Sequence, residues 1–423
     1  MADNEKLAID GGKPVRTKEW PPMWPGGLMY GKEEAKAVEK VAMKKSPFRW
    51  YGVDIQHTVD KLEAAYAKHC GSKYALTVGS GSTALTVALA AVGVGPGTEV
   101  IIPSFMWISD VNSVVWLRAI PVIAEIDDTL NLDPVELEKK ITPRTKAIIA
   151  IHMVGSVADM KAIMKVANKH KIAVVEDCSQ ATGATINGQG VGSFGTIGTA
   201  SFQYNKNMTT GEGGIVTTDS LDLFKASGCF ADVGFERDET GVSKPMNSPF
   251  ESYGIGTRYD ELRAAAGLAQ LKKLPKICKM MRKNQQKIWK GIQDIKALKP
   301  RRLIDKDGDS GAWVIWFNDT PELAEKFRKA LMAEGVPAWP AHGGVHQYRK
   351  ITTLLSKKAV TTAGCPWTCP FNKDSNMNYQ PGDTPKSDAL MDRVVTIPVP
   401  PTLKDADVKD VIKAIRKVAK ALL

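Results

Sequence analysis

The chain has 423 residues, 43% of them hydrophobic and 24% charged, and a net charge of +11. This composition excludes a disordered or fibrous chain and leaves room for two domains around sizeable cores. No run of eighteen apolar residues occurs, and MADNEKLAIDGGKP lacks the basic-then-apolar order of a secretion signal, so a cytoplasmic protein with no membrane contact is expected.

The basic residues are spread over helical segments such as EEAKAVEKVAMKK and VIKAIRKVAKALL. That distribution predicts solvated helix faces with some steering of anionic substrates, and no nucleic-acid partner. The six cysteines, at 70, 178, 229, 278, 365 and 369, are scattered as in a reducing compartment. Cys365 and Cys369 of CPWTC lack a second cysteine pair, and His342 and His346 sit in the glycine-rich HGGVH, so no metal site is expected.

Residues 1–28 read as an N-terminal arm to a large domain, 29–274. From Asp54, DIQHTVDKLEAAYAKHC places Ile55, Val59, Leu62 and Tyr66 on one helical face. KYALTV reads as a strand running into GSGSTAL, which opens another helix, and EVIIP reads as a buried strand after the turn GPG. PVIAEID is a predicted strand, and DPVELEKKI a helix with Asp133 as cap, Pro134 in first place and Glu136 closing a capping box. The strand TKAIIAIHM, the helix ADMKAIMKVANKHK, the strand IAVVEDC and the short strand TASFQ continue the pattern. Such alternation implies an α/β fold with a mostly parallel sheet covered on both faces. It fades after the helix ELRAAAGLAQLKKL. A helix CKMMRKNQQKIWKGIQDI, a strand AWVIWF, a helix PELAEKFRKALMAEG and a last helix carrying Val408, Val411, Ile412, Ile415 and Val418 predict a smaller α+β domain, 275–423, loop-heavy over 340–400.

Ligands of parallel sheets bind beyond the carboxyl ends of the strands, and four such ends carry suggestive residues. GSGSTAL, with Gly81 and Ser82, is either a phosphate-binding helix start or a plain tight turn. Trp107, after EVIIP, is either core or a flat wall for an aromatic ligand. VVEDCSQATGA ends a strand on Glu176 and Asp177, one of which needs a cation, from a salt bridge or from a ligand. Phe202 is placed in the strand TASFQ, and Lys206 follows it ahead of the GEGG turn. Partial desolvation there favours the neutral amine required of a Schiff-base lysine, and the alternative is an ordinary surface lysine. An anion site, an aromatic wall, an acid and a lysine together match the needs of pyridoxal 5'-phosphate.

GSGSTAL, PSFMW, HMVGSVADM, VVEDCSQATGA, SFQYNKNMTTGEGG and RYDELRAAAGLAQL resemble, in that order, the DegT/DnrJ/StrS sugar aminotransferases, which are fold-type-I pyridoxal phosphate enzymes. LAIDGGKPVRT and CPWTCP resemble the branch containing glutamine:scyllo-inosose aminotransferases. The resemblance implies that Lys206 would bind the cofactor covalently, Asp177 would pair with the pyridine nitrogen and Trp107 would stack on the ring. It also implies that Gly81, Ser82 and Ser201 would hold the phosphate and that Gln180 would lie near the ring hydroxyl. Relatives commonly carry an asparagine, reaching the partner subunit's phosphate, two residues before the arginine of the RYDEL-like motif; here Gly256 stands there, ahead of Thr257 and Arg258. A homodimer is implied all the same.

The reaction implied is transfer of an amino group from glutamine or glutamate to a ketone of a cyclitol or sugar, scyllo-inosose-like. Gln203, shared with the inosose and aminohydroxybenzoate relatives, favours a small polyhydroxylated ring. A nucleotide-linked keto sugar, an aromatising synthase and a non-catalytic regulatory or nucleic-acid-binding protein are the alternatives.

Overall fold

Strands built around a continuous apolar run are stable where both faces of a sheet are covered, and β1 (Tyr74–Val78), β2 (Glu99–Pro103), β3 (Ile120–Ala124), β4 (Thr145–Ile151) and β5 (Ala173–Asp177) are of that kind. The computed structural model describes residues 6–238, 240–243, 247–341 and 344–423. A small hairpin, β6 (Thr185–Ile186) and β7 (Gln189–Gly190), precedes β8 (Ile197–Ser201) and β9 (Gly214–Thr218). The seven-stranded sheet has the order β1-β9-β8-β5-β4-β2-β3, with β9 antiparallel to both of its neighbours and the other pairings parallel. The strand period of two sends Val100, Ile102, Ile149 and Val175 into one core and Ile101, Ile148 and Val174 into the other.

A second sheet joins β10 (Lys299–Pro300), β11 (Trp313–Phe317) and β12 (Val394–Pro398) in antiparallel fashion. Its Trp316 packs with Phe327, Val411 and Ile415 of the helices Pro321–Ala333 and Asp405–Leu422. Leu7 of the N-terminal arm enters this same core. The arm is held there by the buried Glu334 carboxylate, which accepts from the amides of Ala8 (2.8 Å) and Val15 (2.9 Å), and by the Arg16–Asp407 ion pair at 2.7 Å.

Several sequence expectations change on contact with the tertiary structure. The helix expected from Asp54 begins at Thr58, because His57 adopts a left-handed conformation (φ 50°), so Ile55 lies outside it. Its first amides, of Thr58 and Val59, are capped by the Glu261 carboxylate at 2.6 and 3.0 Å. The strand expected at PVIAEID ends at Ala124, since the Glu125 carbonyl turns to accept the Asp133 amide. Asp133 caps its helix alone: the Glu136 side chain pairs with Lys139 and Lys386 and closes no capping box.

The strand expected at TASFQ ends at Ser201, and Phe202 leaves it, fully buried, to bond the Gly213 carbonyl. The two helices expected on either side of residue 275 are one, Glu261–Ile292, with Pro275 inside. Proline costs a helix about 3 kcal/mol, and the burial of Leu274, Ile277, Cys278 and Met281 along this stretch offsets that cost. The division expected between residues 274 and 275 therefore falls within a continuous helix. The loop-heavy stretch over 340–400 contains the helix Pro385–Arg393 and all of β12. His342 lies outside the described residues, and Cys365 and Cys369 are free thiols.

Candidate active site

Because β1, β2, β4, β5 and β8 run in one direction, their carboxyl ends open on one edge of the sheet. A cavity of about 550 Å³ lies there, and Gly81, Ser82, Trp107, Asp177, Gln180, Ser201 and Lys206 all line it. The sequence places these seven residues over 126 positions; the parallel sheet gathers them.

At the end of β1, Ser80 caps the helix Gly81–Ala91, its Oγ accepting from the Thr83 amide at 3.1 Å. The amides of Gly81 and Ser82 lie in the first turn, with no intrahelical carbonyl a turn earlier to accept from them, and point out of its positive end. A Cβ on Gly81 would stand 2.6 Å from Ser201 Cβ, so glycine is what lets this helix start sit directly on the end of β8. Ser82 Oγ shares a 2.7 Å hydrogen bond with Ser109 Oγ. Backbone donors, two hydroxyls and a helix start make a suitable cradle for a phosphate.

Trp107 follows β2 as the N-cap of the helix Ile108–Trp116. It is 43% exposed, far above what a core tryptophan shows, and its ring lies 4.7 Å from that of His346.

The two acids that end β5 separate by strand alternation. Glu176 turns away from the cavity and accepts from the amides of Gly192 (2.6 Å), Phe194 (2.9 Å) and Gly195 (2.9 Å). His152 Nδ1 accepts from the Ala158 amide, which leaves Nε2–H to donate to Glu176 at 2.9 Å. Burial opposes ionisation of Glu176, but these donors hold it below the usual glutamate range. Both nitrogens of the His152 ring are thereby engaged, so the His152–Glu176–Cys178 group offers a metal no imidazole lone pair. Asp177 faces the cavity instead, its Oδ1 accepting from the Ser179 amide at 2.9 Å.

Gln180 Oε1 accepts from the Val154 amide at 3.1 Å, which fixes its amide orientation beside the cavity. Lys206 sits on the loop between β8 and β9. That loop is closed by the Phe202 amide on the Gly213 carbonyl (2.8 Å), and the Gly26 amide of the arm donates to the Lys206 carbonyl at 2.9 Å. Burial pushes the Lys206 amine below the usual lysine range, against the opposing pull of Asp177, Asp110 and Glu212.

Met23 and Pro25 of the arm, Glu212, Trp313 and His346 also line the cavity, and the sequence reading does not single out any of them as a site residue. Nothing local marks the arm residues, which arrive by tertiary packing. Asp110 beneath Trp107 was legible in principle, since an acid three residues after a helix cap is a recognisable signal. Arg258 pairs with Asp232 at 2.6 Å, and the neighbouring Thr257 carbonyl accepts from the Gly79 amide at 2.9 Å, so this segment borders the Gly79–Gly81 turn of its own chain.

The sequence profile of the DegT/DnrJ/EryC1/StrS aminotransferase family matches residues 30–416. The chain belongs to this family. L-glutamine:2-deoxy-scyllo-inosose aminotransferase of Streptomyces kanamyceticus is 34% identical over 354 residues, 80% of this chain and 81% of that protein. GDP-perosamine synthase of Caulobacter vibrioides is 43% identical over 215 residues, 51% of this chain and 56% of that one. Among solved structures, an aminotransferase from Psychrobacter cryohalolentis superposes with a TM-score of 0.79 at 29% identity, covering 96% of this chain and 100% of the other. A 3-amino-5-hydroxybenzoic acid synthase superposes at 0.76 and 27% identity, covering 97% and 99%.

As a DegT/DnrJ/EryC1/StrS aminotransferase the protein is an amino-transferring enzyme dependent on pyridoxal 5'-phosphate. Its cavity suits that cofactor: the glycine-dependent cradle at Gly81, the half-exposed Trp107, the buried Asp177 and the desolvated Lys206 share one space. Among the described residues, no helix is long and apolar enough to cross a membrane.

Proposed function

We propose that this aminotransferase moves an amino group from glutamine or glutamate to the ketone of a cyclitol or free sugar of the scyllo-inosose kind. Pyridoxal phosphate, when bound, supplies the electron sink that makes loss of the donor's α-proton feasible, and carries the nitrogen. The amides of Gly81 and Ser82, with the Ser82 and Ser201 hydroxyls, would hold its phosphate. Trp107 would orient its ring, Asp177 would hold a proton at the ring nitrogen, and Gln180 would serve the ring hydroxyl. Lys206 would hold the cofactor covalently, and its amine, favoured in the neutral form by burial, would be the base for the donor's α-proton.

The observation that carries the substrate reading is the cavity lining. Gln180, Gln203, Asn205 and Asn207 offer amides, whereas no arginine lines the cavity among the described residues. Amides donate to and accept from ring hydroxyls, while a diphosphate calls for fixed cations. The inosose aminotransferases among the relatives point the same way. A nucleotide-linked keto sugar is the second reading, favoured by the 43% identity to GDP-perosamine synthase. The pyridoxamine form should return rapidly to the aldehyde form, followed by absorbance, on mixing with scyllo-inosose. Rapid return only with nucleotide-linked 3-keto or 4-keto hexoses would sink the cyclitol reading.

We further propose a homodimer, as the family implies, with large apolar side chains at Tyr51, Val53 and Tyr253 standing exposed for burial. Cytoplasmic residence fits six free cysteines.

A further inference from the structure

Asp110 has no assigned role, yet it is among the most deeply buried acids of the molecule, with none of its surface exposed. It occupies the third position of the helix Ile108–Trp116, where Oδ2 accepts from the Trp107 amide at 3.2 Å. Its other oxygen, Oδ1, is buried without a hydrogen-bond partner. An unsatisfied buried carboxyl oxygen is costly unless it carries a proton and donates it.

The acceptor is at hand. The Asp177 carboxyl at the end of β5 interacts directly with that of Asp110. Among the described residues, the other ionisable groups around the pair are Lys206, on the loop after β8, Glu212, His346 beside Trp107, and Cys178, next to Asp177 in the chain. One lysine charge does not offset two adjacent carboxylates, and burial disfavours even that charge. Two carboxyls in such a place keep one proton between them.

We propose that Asp110 and Asp177 share a single proton, carried mainly on Asp110 Oδ1 and donated to the Asp177 carboxylate. Asp110 is thus a positioning residue. Through Oδ1 it fixes the carboxylate that faces the cofactor's ring nitrogen, and through Oδ2 it fixes the backbone of the Trp107 wall. Ring partner and ring wall are then held by one side chain, and the negative charge of the pair resides on the member that meets the cofactor. Burial first, and the Asp177 charge second, push the Asp110 carboxyl well above the usual aspartate range, which agrees with this placement of the proton. The inference rests on the proposed role of Asp177 toward the cofactor.

Infrared spectra of the protein at neutral pH, cofactor-free and loaded, test the shared proton. The difference spectrum between wild type and Asp110→Asn should show a protonated-carboxyl band that shifts in D₂O. Its absence overturns the proposal. Asp110→Asn retains a donor and an acceptor, so its affinity for pyridoxal phosphate should stay within about threefold of wild type, whereas Asp110→Ala should bind about tenfold more weakly at unchanged secondary structure. Equal affinity of Asp110→Ala and wild type overturns the positioning role. If Asp110→Ala does not fold, Asp110→Ser is compared on the same two criteria. Failure of the Asp177 assignment itself would appear elsewhere, as full turnover by Asp177→Asn, with the infrared band unaffected in wild type.

Discussion

Lys206 is chemically distinct from the other lysines because its loop is tied down on three sides, by Gln203, by the β8–β9 closure at Phe202 and Gly213, and by Gly26 of the arm. A side chain held in a desolvated pocket loses the hydration that keeps surface lysines charged, and its amine becomes a usable nucleophile and base. Borohydride reduction of the loaded enzyme followed by peptide mapping should therefore label Lys206. A label on any other lysine refutes the assignment. Lys206→Ala should still bind cofactor and lose transamination. Asp177→Asn should retain cofactor but lose at least about 100-fold in turnover, as expected when a charged group acting on the reacting system is neutralised. Near-normal turnover would dismiss its role at the ring nitrogen.

At the scale of elements, the helix Gly81–Ala91 reaches the cavity only because residue 81 has no side chain. Gly81→Ala should weaken pyridoxal phosphate binding about tenfold or more, by steric displacement of a donor cradle. Binding as tight as wild type in a fluorescence titration would mean that the cradle is not the phosphate site. Glu176 shows how β5 is locked to the chain that follows it. Its folded-state carboxyl is held low, so the stability it contributes is present above the ordinary value of 4.5 and is lost as the pH falls through the depressed one. Glu176→Gln should cost about 3 kcal/mol near neutral pH, and the gap to wild type should narrow below pH 4.5 in denaturant titrations. A gap independent of pH would contradict this. Element types were widely legible, since period-two and period-3.6 patterns are local. Boundaries were less so: the cap of the Thr58–Cys70 helix is Glu261, some 200 residues away, and no window of sequence contains both.

For the molecule as a whole, the arm is the connection that sequence reading treats as peripheral. It is fastened to the C-terminal core at Leu7 and Arg16 and reaches the cavity at Met23 and Pro25. Light scattering should report a dimer, and an active monomer would refute that proposal. A Cβ added at Gly256, where the family resemblance implies that an asparagine is common, would meet only Val233 Cγ1, at 3.6 Å. Gly256→Asn should accordingly fold normally and bind cofactor at least as tightly as wild type. A large loss of affinity would show that the bare backbone is required there.

The sequence by itself determined the family, the alternating α/β order and seven of the residues that line the cavity, because a helix start, a strand end and a lysine loop each carry a local chemical signature. Only the tertiary structure gave the physical reason that Asp177 and not Glu176 meets the cavity, since strand alternation acts once the sheet has faces. It also decided that the helix Glu261–Ile292 continues through Pro275, because burial on either side outweighs a local propensity. Finally, it set Asp110 beside Asp177, for two side chains 67 positions apart meet only when β2 and β5 lie in one sheet.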